Sequence, residues 1–180
     1  SGDLVIAQQR RMGLVKINYG TATRDGTFGN RGFFKGTRRD GDCANKDSRL
    51  STVWHLGIDR VDTNDNDDDR IYAMDKRRKK IVVLNVSGEC VDVISLGFKP
   101  RSMTIRTFNN ETHLFVGGFV RRNRPAEYKF WTTNLTNNTT YALTGANSGF
   151  CDVSGDKGMY ATNAWAIAVD GAGGTPSNLY

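Results

Sequence analysis

The sequence predicts an all-β fold, and three observations carry that expectation. Val, Ile, Thr and aromatic residues come in short bursts without a sustained helical period. Gly is abundant, at 20 residues, and Pro scarce, at 3, so turns fall between the bursts and the strands are seldom broken. One apolar run also recurs. Leu4-Val5-Ile6-Ala7, Ile71-Tyr72-Ala73-Met74-Asp75 and Leu114-Phe115-Val116-Gly117-Gly118 all read as the same short buried strand, and Leu179-Tyr180 matches its opening.

These starts, at residues 4, 71, 114 and 179, are 67, 43 and 65 residues apart. The short interval fits one four-stranded unit. The long ones fit one unit plus an insertion of about 20 residues, and periods in this range belong to propellers and arrays. Residues 1–180 are therefore expected to form one partial β-propeller domain of about three four-stranded units. Its insertions are expected at Gly20–Arg49 and Ala146–Ala161. A closed ring takes roughly 4–8 blades, so other blades are expected from a second copy, another chain or another part of a longer protein. The alternative is a β-sandwich, whose strands alternate similarly without needing a repeat.

The elements follow in order. Leu56–Val61 alternates and reads as an inner strand, and Asp62–Asp69 is a polar turn. Ile71–Met74 is a buried strand, and Asp75–Lys80 a charged hairpin tip. Ile81–Val86 is a third strand, Ser87-Gly88-Glu89 a tight turn, and Cys90–Leu96 an alternating outer strand. The next unit repeats this order with Ser102–Arg106, Leu114–Phe119, Tyr128–Leu135 and Thr140–Leu143. Trp165–Gly171 then opens a further inner strand.

The segment RIYAMDKRRKKIVVLNVSGECVDVISLGFKPRSMTI, from Arg70 to Ile105, resembles a repeat of the NHL or related six-bladed β-propeller families. WAIAVDGAGGTPSNLY is similar to the inner-strand-to-second-strand join of that repeat. The resemblance implies a propeller and names no ligand, because the fold hosts enzymes and binding modules alike.

In such a fold, second-to-third-strand loops and unit-to-unit loops emerge on one face. The charges then segregate. One face receives Arg10, Arg11, Lys76, Arg77, Arg78, Lys79, Lys80, Lys99, Arg101, Arg121, Arg122 and Arg124. The other receives the Asp62–Asp69 run and the sequons at Asn110, Asn134, Asn137 and Asn138. A basic face raises the local concentration of anions, with an effect that salt weakens. The expected partner is therefore anionic: a sulfated or uronic glycan, an acidic protein surface or an anionic lipid surface. Nucleic acid fits poorly, since the basic residues are not interleaved with a stacking row of aromatics.

Asp62, Asp65, Asp67 and Asp69 offer carboxylates for an irregular calcium site. An EF-hand is rejected. Counted from Asp62, Asp67 stands where that loop has Gly, and Ala73 where it has the bidentate Glu. No cofactor is expected otherwise. Five sequons, at Asn85, Asn110, Asn134, Asn137 and Asn138, lean towards a secreted glycoprotein. Cys43, Cys90 and Cys151 allow at most one internal disulfide, with the pairing left open. No apolar run approaches the ~18 residues of a membrane span.

Catalysis has thin support. The two histidines, His55 and His113, each precede a predicted strand, and there is no Gly-x-Ser-x-Gly elbow, P-loop or HExxH. The sequence thus points to an extracellular interaction or structural module in a larger assembly. A propeller enzyme of the axial-metal lyase or lactonase type is one alternative. A lectin-like module using Trp131 or Trp165 is another.

Overall fold

The computed structural model describes residues 3–37, 43, 46–59, 69–96, 99–108, 111–121, 127–134 and 139–143. The fold is all-β with antiparallel sheets. It divides into two compact units, Ser1–Leu96 and Gly97–Tyr180. Among the described residues the helical structure is 3₁₀, at Gln9–Arg11 and at Cys43, and no helix is long and apolar enough to cross a membrane.

The first unit holds two sheets. The smaller has the order β1 (Leu4–Gln8), β2 (Gly13–Asn18), β3 (Thr23–Arg24). The larger runs β4 (Val53–Asp59), β5 (Arg70–Asp75), β6 (Lys80–Asn85), β7 (Cys90–Ser95), each strand beside its chain neighbour. The second unit repeats that meander with β8 (Lys99–Phe108), β9 (Glu111–Arg121), β10 (Glu127–Asn134) and β11 (Thr139–Leu143). All eight strands expected for these two meanders are present. Pro100 lies on β8, an edge strand, beside a bulge at Arg101, where its missing N–H costs the sheet least. Trp165–Gly171, Ala146–Ala161 and Leu179-Tyr180 lie outside the described residues.

The pleat decides what each face buries. Ile71 pairs with Leu84 and Ala73 with Val82, so these four share one face. They join Leu14, Phe28, Phe34, Leu50, Val53 and Val93 in one core, with Val5, Ala7 and Leu56 packed against it. Tyr72, Met74, Ile81 and Val83 belong to the opposite face and are buried as well. Strands buried on both faces read as unbroken apolar runs, and IVVL is such a run.

One expectation needs correction. Leu4–Ala7 does form a strand, but only Val5 and Ala7 meet the core. Leu4 is 56% exposed and Ile6 39% on β1, the edge strand of its sheet, whereas Val15, opposite Ile6 on β2, is buried. The insertion Gly20–Arg49 also contributes to the core. Phe28 and Phe34 are core residues, Leu14 exchanges backbone hydrogen bonds with Phe34, and Cys43 forms a disulfide with Cys90 on β7. The turn after β6 is fitted to this segment. Gly88 has φ +78°, and a Cβ there would meet Gly29 N at 2.7 Å and the Phe28 ring at 2.8 Å.

Candidate functional site

Hydrogen bonds fix which ends of the two sheets in the first unit lie together. Next to the β1–β2 tip, Leu14 is tied to Phe34, and the adjoining Lys35 O accepts from Leu50 N. Ser51 N in turn donates to the Asp75 carboxylate at the β5–β6 tip. At the far ends, Lys16 Nζ donates to Val86 O and Gly29 N to Ser87 O. The two hairpin tips therefore emerge at one end of this unit. That end carries Arg10, Arg11, Arg49, Lys76, Arg77, Arg78 and Lys79. The far end carries Asp3, Asp25, Asp59, Asp69 and Glu89, with Arg24 and Arg70 among them.

Asp75 builds the β5–β6 tip. Its fully buried carboxylate accepts from the backbone N–H of Ser51, Thr52, Arg77 and Arg78. These bonds lock the tip and the entry to β4 together. Lys76 extends over Trp54, its Nζ 3.9 Å from the ring centroid. Trp54 occupies a bulge between Val53 and His55 on β4, and bulges re-aim side chains in this way. Such contacts contribute about 0.5–1 kcal/mol at exposed positions.

Asp47 organises the cations beside this tip. Arg49 grips it with two parallel hydrogen bonds, Nε to Oδ1 at 3.0 Å and Nη2 to Oδ2 at 2.9 Å. Arg78 Nη1 reaches Oδ2 at 3.0 Å. Lys80 donates to the Asp47 carbonyl oxygen, with its Nζ 3.7 Å from Oδ1. Bidentate charge-assisted bonds of this kind are both strong and directional. The Arg49 side-chain hydrogen bonds hold the Asp47 carboxyl well below the usual carboxylate range, and Asp47 raises Arg49 in return. Burial lowers the Lys80 ammonium and outweighs the Asp47 charge that opposes it.

At the far end, Lys16 bridges Asp25 at 2.9 Å and Asp3 at 3.8 Å. Hydrogen bonds from the Thr27 side chain, then from Lys16, lower Asp25 to about 2.

The expected basic residues divide as follows. Arg10, Arg11, Arg77, Arg78 and Lys79 are exposed at the common end, and Lys76 is half-buried against Trp54. Lys80 is not a surface residue. It is buried behind Asp47, because a hairpin's first strand residue turns into the sheet rather than out to the tip. Lys99 and Arg101 begin β8, and Arg121 ends β9, all in the second unit. Arg122 and Arg124 lie outside the described residues.

Asp62, Asp65 and Asp67 lie outside them too. Asp69 is described, with its Oδ1 buried and without a hydrogen-bond partner. Among the described residues no group of three or more His, Cys, Asp or Glu is placed to hold a metal ion. Asn85 spends its side chain on the β6–β7 turn, accepting from Ser87 N and Glu89 N and donating to Glu89 Oε2. Asn134 ends β10, while Asn110, Asn137, Asn138 and Cys151 lie outside the described residues. His55 sits on β4, where burial lowers its pKa.

Sequence reasoning missed Asp47, Arg49 and the buried role of Asp75. Asp47 meets Arg78 and Lys80 across 31 and 33 residues, from a segment with no strand periodicity. Comparison with protein-family models, curated proteins and solved structures gives no match to this chain.

Proposed function

We propose that this chain is part of an extracellular β-propeller, acting as an interaction module within a larger glycoprotein assembly. Its basic hairpin tips receive an anionic partner, and other protein chains complete the assembly. The observation that carries this reading is the gathering of Arg10, Arg11, Arg49 and Lys76–Lys79 at one end of the first unit. The consecutive meanders β4–β7 and β8–β11 support the propeller. Exposed Leu4 and Ile6 on the edge strand β1 support association with a further sheet. The Cys43–Cys90 disulfide supports an oxidising compartment.

Light scattering with intact mass spectrometry tests the assembly, and retention on immobilised heparin tests the face. The expected result is a glycosylated species in a complex larger than the 20.0 kDa chain, bound at low salt and released by added salt. A bare monomer with no salt-sensitive retention overturns the proposal.

A further inference from the structure

We infer that Arg49 and Arg78, held side by side on Asp47, form a discrete oxyanion subsite that takes a sulfate ester of a sulfated glycan. This deepens the basic-face reading and rests on it.

Charge and access point the same way. Three cationic side chains share the single Asp47 carboxylate, so the cluster keeps an excess of positive charge. Asp75 is close by, but its charge is enclosed by four backbone N–H groups. The cations divide by exposure. The Lys80 side chain is 7% exposed and supports Asp47 from inside, whereas Arg49 is 37% exposed and Arg78 32%. The excess charge therefore reaches solvent through two guanidinium groups and not through the ammonium.

Their geometry is also set in advance. Arg49 commits Nε and Nη2 to Asp47, and Arg78 commits Nη1. Each planar group thus keeps N–H donors beyond those facing Asp47, since a guanidinium carries five. Two forks anchored on one carboxylate lose little rotamer freedom when an anion arrives. Arginine forks match the spacing of oxygens on a sulfate or phosphate group. The sulfated glycan is favoured as the source because the disulfide fits the compartment where such chains occur, and because neighbouring charges continue the surface. Arg77 and Lys79 lie on the same tip, and Arg10 and Arg11 on the adjacent one, so further sulfates along one chain have cations to meet. Lys80 and Asp47 are positioning residues, not contacts of the ester.

The test uses the full 180-residue chain and a heparin-derived oligosaccharide, with affinity measured by calorimetry at low salt. Arg49→Lys and Arg78→Lys keep the charge and lose the fork. Each is expected to weaken binding roughly fivefold to tenfold, while Arg77→Lys at the unclamped position changes it less than about twofold. Asp47→Asn sharpens the contrast. It adds positive charge, so a diffuse basic field would bind more tightly, whereas the subsite loses its clamp and weakens. Thermal melting of each variant separates this from unfolding, and the two Arg→Lys variants decide the matter if Asp47→Asn does not fold.

Inorganic sulfate at matched ionic strength is expected to compete. Sulfate binding with no added affinity for the oligosaccharide overturns the glycan assignment. Affinity unchanged in both Arg→Lys variants overturns the subsite and leaves the basic face standing. No binding by the unmodified chain overturns both.

Discussion

β1 and β5 have nearly interchangeable sequences and opposite fates. LVIA and IYAM are both short apolar runs, the first opening the three-stranded sheet and the second lying second in its meander. In β5, Ile71 and Ala73 face the shared core and Tyr72 and Met74 are buried on the other side. In β1, Val5 and Ala7 face that core, while Leu4 and Ile6 face outward and remain exposed. The difference lies in what stands on either side of each sheet and not in the strands. An apolar run reports that a strand suits burial on two faces; only the neighbours decide whether it receives both.

The largest test of this comparison is a pair of truncations. Leu84 is fully buried and pairs with Ile71, so Leu84→Ala removes contacts that the surrounding sheets cannot close over. It should cost about 3 kcal/mol, within the usual 2–5 for buried leucine. Leu4→Ala should cost less than about 0.5 kcal/mol in the isolated chain. Urea midpoints measure both. Comparable losses at the two sites would mean that β1 is covered in solution, which would itself point to self-association through its outer face.

Much of this was legible. The eight strands of the two meanders follow from apolar runs bounded by turn residues, with boundaries displaced by one to a few residues. Register was less legible. Bulges at Trp54 and Arg101 each insert one residue, and nothing in their identity announces it. The part that Gly20–Arg49 takes in the core was not legible, because Phe28 and Phe34 are buried singly, with no periodic partners. The tip sequence DKRRKK looks uniformly solvated, yet its first and last members, Asp75 and Lys80, are buried. Both lie in the strands and not in the turn between them, and their long-range partners come from residues 47–52. Composition suggested a basic surface; contacts across more than 30 residues created the Arg49–Arg78 pair.

Acid distinguishes the two ends of the first unit. Asp25 ties β2 to the following loop, and Asp47 ties the β5–β6 tip to the segment before β4. Both carboxyls are lowered on folding, Asp25 to about 2. The sign follows directly. Each contributes stability that is complete above the unfolded value near 4 and is lost as pH falls through the folded value. Melting temperature should therefore decline between about pH 4 and 2, and Asp25→Asn should flatten that decline. Asp47→Asn should flatten the same decline. The Asp47 effect is the more weakened by solvent, its side chain being about one-third exposed. Parallel pH curves for the unmodified chain and Asp25→Asn would mean that the Thr27 and Lys16 contacts to Asp25 do not form in solution.

The smallest effect bears on whether the two tips are one kind of turn. Met12 closes the β1–β2 tip with φ 53°, and Lys79 closes the β5–β6 tip with φ 54°. Each stands one residue before the next strand, in the left-handed region that costs a non-glycine residue about 1–2 kcal/mol. Glycine relieves that strain but loses more chain entropy on folding, about 0.5–1 kcal/mol. Met12 and Lys79 are both exposed, so little packing is lost on replacing them. The hydrogen bond from Leu96 N to Lys79 O uses the backbone and survives the change. Met12→Gly and Lys79→Gly should therefore each raise stability by about 0.5 kcal/mol, read as matched shifts in the urea midpoint. Matched gains would mean that the exposed sheet and the enclosed one turn by the same local device. A gain at Lys79 alone would mean that the β1–β2 tip relaxes in solution.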